Sequence, residues 1–133
     1  MMLPQQRGLI VNISFWAAQK YVGNAIYGVS KAATDKLTSD TAHDLRKHGV
    51  SVVSLYPGLV RTESVMAAAK SVKFDLSNSE SPQFLGRVVA ALANDPKILD
   101  RSGSVLVAAA VAAEFGIEDI DGHQPKPLTL ASV

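Results

Sequence analysis

Cysteine is absent from the 133 residues of this chain. Its absence excludes a disulfide framework, a cysteine nucleophile and a thiolate metal site. A chain without cysteine suits a reducing compartment, and we therefore expect it in the cytoplasm. The three histidines, His43, His48 and His123, do not have the spacing of metal ligands, so the sequence predicts no metal site.

An excess of charge of either sign is also missing. The 13 lysines and arginines and the 12 aspartates and glutamates are scattered along the chain and leave a net charge of +1. A basic stripe that could neutralise a phosphate backbone is absent, so nucleic acid is not expected as a partner.

Long apolar runs are missing as well. The longest, at residues 105–113, has nine residues, whereas a membrane-spanning helix needs about 20. We interpret this run as a core segment and expect no membrane association. The first seven residues hold no apolar stretch long enough for a signal peptide, so they do not predict export.

The chain has the composition and the element pattern of a single α/β domain. Hydrophobic residues make up 47% of it and charged residues 19%, which is too apolar for a disordered segment. β-prone runs at residues 8–14 and 50–55 flank a helical pattern at residues 27–48. This order predicts two buried parallel strands that are joined by a right-handed crossover helix.

The other elements are predicted from shorter patterns. The long helix carries an apolar stripe of Val29, Ala33, Leu37 and Leu45, with Ala32 and Ala42 beside it, which is typical of an amphipathic helix. We also expect a helix at residues 82–93, a strand at 104–107 and an irregular tail from Gly116. Residues 62–74 favour neither of two interpretations, a short helix or a mobile lid.

Tyr27 and Lys31 are the residues best suited to chemistry. They lie four positions apart on the predicted helix, so their side chains share one face. A free phenol titrates near pH ~10, and a neighbouring ammonium favours the phenolate that acid–base catalysis at neutral pH requires. Chance also produces this spacing, but Ser14 ends the preceding strand and Pro57 follows the next one. Ligands of open α/β sheets bind beyond the carboxyl ends of strands, so these residues predict one cleft.

Three motifs, in this order, resemble those of the short-chain dehydrogenase/reductase family. Residues 8–14 resemble its serine strand, residues 27–33 its Tyr-x-x-x-Lys helix, and residues 56–62 its Pro-Gly-x-x-x-Thr cofactor turn. Residues 42–51 are similar to one branch of the family. The resemblance implies an α/β fold, the C-terminal half of a doubly wound parallel-sheet NAD(P)-binding Rossmann fold. Residues 1–133 would then form one partial domain that lacks the N-terminal glycine-rich cofactor half.

The resemblance also implies an oxidoreductase that interconverts a small-molecule carbonyl and an alcohol by hydride transfer with NAD or NADP. Tyr27 matches the proton donor and acceptor, and Lys31 matches the lysine that favours the phenolate and binds the nicotinamide ribose. Ser14 matches the serine that hydrogen-bonds the substrate carbonyl. Because the Tyr helix packs across dimer interfaces in the family, a homo-oligomer is expected. The implied cofactor-binding residues are Tyr27, Lys31, Pro57, Gly58, Val60 and Thr62.

The sequence departs from the family pattern in two places. The family ends its serine strand with Ser-Ser, whereas Phe15 follows Ser14 here and leaves Ser14 as the candidate. The glycine-rich turn that receives the pyrophosphate does not occur, nor do the residue that selects NAD or NADP and the asparagine of the proton relay. Two functions stay open: an active enzyme, and a catalytically inactive fragment that acts only by association.

The remaining polar and aromatic residues have structural interpretations. Tyr56 stands at a strand end and is expected to be structural. Trp16 and Tyr21 either line the substrate pocket or pack within the loop, and the sequence favours neither. The charged residues of the long helix are expected to form its solvated face: Asp35, Lys36, Asp40, Asp44 and Lys47.

Overall fold

The structure is a computed structural model and describes residues 2–71 and 75–133. Strands and helices alternate along these ranges, as the apolar pattern predicts. In chain order the elements are α1 (Met2–Gln5), β1 (Gly8–Ile13), α2 (Ala25–Leu45), β2 (Val50–Tyr56), α3 (Glu63–Ala68), α4 (Pro82–Asn94), β3 (Val105–Val107) and α5 (Ala108–Phe115). Single 3-10 turns lie at Trp16–Ala18, Arg46–His48 and Ile98–Arg101.

The strands form one parallel sheet in the order β1-β2-β3. All seven residues of β2 are buried, as expected for a central strand with both faces covered. The same expectation is wrong for β1, whose residues are half-buried or exposed. The reason is its position at the edge, because within the described ranges it pairs with β2 alone.

Helices cover both faces of β2. Successive side chains of a strand point to opposite faces, so Leu55 packs on one side and Ser54 and Tyr56 on the other. Ser54 and Tyr56 face α2, where the Ser54 hydroxyl lies 2.9 Å from the hydroxyl of Thr38. Leu55 belongs to a buried core with α4 and α5 that contains Phe84, Val88, Leu92, Ala108, Val111 and Ala112.

Polar caps set where the helices begin. The side chains of Asn24, Thr62 and Ser81 each accept a hydrogen bond from a backbone amide in the first turn of α2, α3 and α4 respectively. Gly49 closes the segment after α2 in the left-handed region, with φ of 67°. A Cβ atom there would lie 2.3 Å from the Gln6 carbonyl oxygen, so the close approach also requires glycine.

The long helix does not turn its apolar stripe toward the sheet. Val29 and Leu37 are 69% and 59% exposed. The side chains that α2 buries are Thr38 and Ala42, which are small enough to let the helix lie close to the sheet. The periodicity therefore predicts the helix correctly, and of its apolar residues Ala42 lies on the buried face whereas Val29 and Leu37 do not.

The interpretation of Asp35 as part of the solvated face of α2 is wrong. Its carboxylate accepts hydrogen bonds from the hydroxyls of Ser54 and Tyr56, which both lie on β2. Lys36 and Asp40 do lie at the surface, where they form an ion pair one helical turn apart.

Two segments differ in part from the sequence interpretation. Residues 62–74 contain the short helix α3, while residues 72–74 lie outside the described residues. The apolar run at 105–113 contributes to the core as expected, but it divides between β3 and α5. Helix α5 was not predicted, because a continuous apolar run carries no helical period.

Candidate active site

A cavity of about 400 Å³ opens where β1 and β2 end and α2 begins. This volume lies within the range of roughly 300–1,000 Å³ that is usual for small-molecule sites. The position is the carboxyl edge of a parallel sheet, where ligands of open α/β folds bind. All the residues that the sequence singled out line this cavity: Ser14, Tyr27, Lys31, Pro57, Gly58, Val60 and Thr62.

A larger cavity elsewhere in the structure is lined by other residues. A cavity of about 580 Å³ lies at the amino-terminal edge of the sheet, against Gly8, Gly49 and Asp95. It contains none of the residues that the sequence singled out. The chemistry of the lining, rather than the volume, therefore identifies the candidate site.

Ser14 and Lys31 tie the end of β1 to α2. Ser14 is buried, and its amide continues the sheet by donating a hydrogen bond to the Leu55 carbonyl at 3.0 Å. Its hydroxyl donates to the Lys31 carbonyl at 3.2 Å. The Lys31 ammonium in turn donates to the Ile13 carbonyl, with Nζ and O 3.2 Å apart. The serine and the lysine thus hold fixed positions at the cavity wall.

Tyr27 lies in the first turn of α2. Its amide donates to the Asn24 side chain at 2.9 Å, so the cap that begins the helix also fixes the tyrosine backbone. The Lys31 ammonium lies 5.6 Å from the centre of the Tyr27 ring. The tyrosine is 37% exposed, which leaves it accessible to a molecule in the cavity.

A turn of residues 57–62, called the Pro-Gly turn below, forms the opposite side of the cavity. It contributes Pro57, Gly58, Val60 and Thr62 to the lining. The Thr62 hydroxyl also accepts a hydrogen bond from the Val65 amide at 3.3 Å. Thr62 therefore begins α3 and faces the cavity at the same time.

Glu80 lies beneath the Pro-Gly turn and was not anticipated from the sequence. It is 1% exposed, and burial raises the pKa of its carboxyl to about 7. A hydrogen bond from the Gly58 amide acts to lower the pKa of Glu80, whereas the negative charge of Asp119 acts to raise it further. No local sequence pattern predicts the burial of Glu80, because its contact with Gly58 joins positions 22 residues apart.

Arg61 and Asp119 join the Pro-Gly turn to the segment that follows α5. The Arg61 guanidinium lies 3.0 Å from a carboxylate oxygen of Asp119 and donates to the Ser79 carbonyl at 2.9 Å. Burial acts to raise the pKa of Asp119, but hydrogen bonds from Ser81 and Ile120 and the charge of Arg61 hold it below its ordinary value. Arg61 therefore connects the Pro-Gly turn both to Asp119 and to Ser79.

A second polar network lies behind the cavity. Tyr56 is fully buried, and burial together with its hydrogen bond to Asp35 raises its pKa to about 12. Asp35 also accepts from Ser54 at 2.8 Å. The Trp16 ring packs edge-on against Tyr56, with centroids 5.2 Å apart. These contacts agree with a structural role for Tyr56 and with the loop-packing alternative for Trp16, whereas Tyr21 is 75% exposed.

Apolar side chains form the rest of the cavity wall. Leu128 comes from the C-terminal tail, which Asn78 holds with two hydrogen bonds: its side chain donates to the Lys126 carbonyl at 3.0 Å and accepts from the Lys126 amide at 2.7 Å. The sequence pattern predicts this tail only as an irregular segment and does not place it at the cavity. Besides Pro57 and Val60, the apolar residues of the lining are Ile13, Phe15, Val22, Leu59, Val65 and Leu128.

Two features are missing from the part of the chain that the structure describes. Within it, no group of three or more His, Cys, Asp or Glu side chains is arranged to hold a metal ion. None of its helices has both the length and the apolar character that crossing a membrane would take.

Comparisons with known proteins agree with the motifs. The family model for short chain dehydrogenase matches residues 1–73. Dehydrogenase/reductase SDR family member 1 of Mus musculus is 47% identical over 95% of this chain and 44% of its own length. The Homo sapiens protein of the same name is 44% identical over 100% of this chain and 46% of its own. This chain belongs to the short-chain dehydrogenase/reductase family.

The family likeness extends to solved structures. A short chain dehydrogenase/reductase family protein is 32% identical, with a TM-score of 0.67 over 80% of this chain and 46% of that one. The complex of 4-hydroxyisoleucine dehydrogenase with NADH is 29% identical, with a TM-score of 0.61 over 78% of this chain and 46% of that one. The fold class is confirmed as part of a parallel-sheet Rossmann fold. This short-chain dehydrogenase/reductase chain spans about half the length of the curated relatives it matches.

Proposed function

We propose that this chain carries the catalytic part of an NAD(P)-dependent oxidoreductase that interconverts a carbonyl and an alcohol. One observation carries the proposal: Ser14, Tyr27, Lys31 and the Pro-Gly turn, which are distant in sequence, line a single cavity. The family supplies the reaction type, and the cavity supplies a place where these side chains reach one substrate.

Tyr27 is proposed as the proton donor and acceptor. In the reductive direction its phenol gives a proton to the substrate oxygen, and in the oxidative direction the phenolate takes one back. The ammonium of Lys31 lies 5.6 Å from the ring centre and places a positive charge beside the tyrosine. The hydrogen bond from this ammonium to Ile13 keeps the charge in place.

Ser14 is proposed to bind the substrate oxygen. Its hydroxyl donates to the Lys31 carbonyl in the structure, so it must rotate to donate to a substrate. Such a donor polarises the carbonyl and fixes its approach to Tyr27. Phe15, the departure from the family pattern, lines the cavity beside it without displacing it.

The cavity fits the nicotinamide end of NAD or NADP. An ammonium, a phenol and the Pro-Gly turn line the same space, and these groups suit ribose hydroxyls and a carboxamide. Tyr27 and Lys31 would hold the ribose, and Pro57, Gly58, Val60 and Thr62 the carboxamide. When bound, the cofactor supplies or accepts the hydride at the substrate carbon. The NADH complex of the structural neighbour supports this assignment.

The wall of the cavity favours an apolar substrate. Phe15, Val22, Leu59, Val65 and Leu128 surround the polar residues with hydrocarbon. Such a lining desolvates a small carbonyl or alcohol while a few polar groups orient it. We therefore propose a small apolar carbonyl compound, or its alcohol, as the substrate.

The proposal also covers the extent of the domain, the cellular compartment and the oligomeric state of the protein. We infer that residues 1–133 form one partial domain without the glycine-rich cofactor half, and that the protein is cytoplasmic. The exposed apolar stripe of α2, with Ile26 83%, Val29 69% and Leu37 59% exposed, supports a homo-oligomer in which this face meets a second copy. The same face supports the second candidate function, an inactive fragment that acts only by association.

Binding of NADH and NADPH to the purified chain tests the proposal. If the chain is the enzyme, the fluorescence of the reduced cofactor should change saturably on binding. The chain should also oxidise the cofactor in the presence of a small apolar ketone, and Tyr27→Phe should abolish this oxidation. A folded chain that self-associates but neither binds nor oxidises either cofactor would favour the association-only candidate.

A further inference from the structure

Glu80 holds the Pro-Gly turn through its backbone. Its amide donates to the Leu59 carbonyl at 2.8 Å, and its carbonyl accepts from the Arg61 amide at 2.8 Å. These bonds form a parallel bridge between Glu80 and Val60. The residue is thus part of the support on which the turn rests.

The side chain of Glu80 fills the space beneath Gly58. A Cβ atom added to Gly58 would lie 2.8 Å from Oε1 of Glu80, so a larger residue at this position would have to displace the Glu80 carboxyl. The other oxygen, Oε2, is buried and has no hydrogen-bond partner within residues 2–71 and 75–133. A buried polar atom without a partner costs free energy, so packing alone does not account for a glutamate here.

The charges around Glu80 oppose its ionisation. Asp119 faces it from the segment after α5 and adds a negative charge. Arg61, on the Pro-Gly turn, lies 3.0 Å from Asp119 and 3.6 Å from Asp121, so two carboxylates share its positive charge. His123 is a further titratable residue nearby, because its carbonyl accepts from the Asp119 amide at 2.7 Å.

We propose that Glu80 is a positioning residue for the Pro-Gly turn, which its neutral carboxyl holds in the form that binds nicotinamide and which its ionisation loosens. An ionised carboxyl would place a buried charge beside Asp119, a cost that outweighs the favourable hydrogen bond from the Gly58 amide, and the two segments relieve this cost by moving apart. Affinity for the nicotinamide end therefore falls as pH rises through about 7. The link to nicotinamide rests on the proposed function, whereas the link between Glu80 and the turn does not.

The first experiment follows the backbone amide resonances of Gly58 and Val60 in the chain alone, from about pH 5 to about pH 9. Both are expected to shift with a midpoint near 7 in the parent and to stop titrating in Glu80→Gln, which is uncharged and has the same shape. Glu118→Gln is the matched control, because Glu118 is exposed. His123→Gln should leave the shift in place. Flat resonances in the parent, or the same titration in Glu80→Gln, would overturn the proposal.

The second experiment measures NADH binding between pH 6 and pH 8. If only the form with neutral Glu80 binds, a group titrating near 7 lowers the apparent affinity about tenfold across this interval. Glu80→Gln is expected to bind at pH 8 as the parent does at pH 6, whereas Glu80→Ala, which keeps the backbone bonds but removes the side chain beneath Gly58, should bind weakly at both. An unchanged pH slope in Glu80→Gln would refute the proposal. If no form binds NADH at any pH, the proposed function fails, and the amide titration alone then supports or overturns the role of Glu80.

Discussion

The hydroxyl of Ser14 donates a hydrogen bond to the backbone carbonyl of Lys31, with the two oxygens 3.2 Å apart. The Lys31 ammonium returns a bond of 3.2 Å to the Ile13 carbonyl, one residue before the serine. These crossed bonds fix the end of β1 against the helix that carries Tyr27. The positions of the three proposed catalytic residues are therefore set by each other.

Replacement of Tyr27 by phenylalanine should abolish activity and leave stability nearly unchanged. The side chain is 37% exposed, and phenylalanine keeps the ring beside Lys31 while removing the proton donor. Loss of a general acid or base lowers kcat by roughly 10²- to 10⁴-fold. Carbonyl reduction and the thermal unfolding midpoint are the measurements. Tyr21→Phe is the control at a 75% exposed tyrosine, and a Tyr27→Phe variant as fast as the parent would exclude the proposed proton transfer.

Replacement of Ser14 by alanine should lower both stability and activity. The variant loses the bond to the Lys31 carbonyl, which corresponds to about 1 kcal/mol of unfolding free energy. It also loses the donor to the substrate oxygen, so kcat/KM should fall by about tenfold or more. Denaturant unfolding and steady-state kinetics report the two effects.

The matched control for Ser14 is Ser30→Ala. The Ser30 hydroxyl also donates to a backbone carbonyl, that of Tyr27 at 2.7 Å, but Ser30 is exposed and outside the cavity lining. We expect Ser30→Ala to lose at most as much stability as Ser14→Ala does. Its kcat/KM should be unchanged. Equal losses of activity in the two variants would show that Ser14 acts through structure alone.

Glu80 should make the chain more stable at acid pH than at neutral pH. Its carboxyl titrates at about 7 in the folded chain against an ordinary value of 4.5, so the folded state binds the proton more tightly. Its contribution is complete below about pH 4.5 and is lost as pH rises to about 7; at roughly 1.4 kcal/mol per pKa unit this amounts to about 3 kcal/mol. Glu80→Gln should remove this slope in urea unfolding measured at successive pH values. A slope that persists in the variant would assign it to other groups.

Leu128→Ala should weaken substrate binding without slowing the proton transfer. The side chain lines the cavity from the C-terminal tail, and its removal opens the apolar wall. KM for a small apolar ketone should rise by roughly 10- to 100-fold, the effect of losing about 1 to 3 kcal/mol of apolar contact, with kcat nearly constant. Leu130→Ala, in the same tail and 43% exposed, should leave KM unchanged. A fall in kcat with constant KM would place Leu128 outside the substrate wall.

Leu37→Lys should shift the chain toward the monomer. Leu37 is 59% exposed on the apolar stripe of α2, and a charge there opposes contact with a second copy. Light scattering coupled to size exclusion measures the mass of the variant against the parent. Lys36→Glu is the control for a charge change on the same helix, because Lys36 pairs with Asp40 at the surface. A monomeric parent would contradict the homo-oligomer.

The sequence was informative where a local rule fixes the outcome. A helical period predicts α2, a β-prone run followed by Pro57 predicts the end of β2, and four positions on a helix place Lys31 near Tyr27. The sequence did not predict which face of a helix is buried, because that depends on the elements that pack against it. Val29 and Leu37 form a correct helical stripe, yet the face that packs on the sheet is that of Thr38 and Ala42.

By itself the sequence determined the family, the parallel α/β class and the residues that meet at the carboxyl edge of the sheet, because ordered motifs and strand ends are local properties. Only the tertiary structure decided that Asp35 bonds Tyr56 across 21 positions and that Glu80 is buried beneath Gly58. The physical reason is that burial and a shifted pKa arise from neighbours that the fold brings together. A carboxylate has the same chemistry everywhere in a sequence, and its surroundings decide whether it is solvated, bonded or neutral.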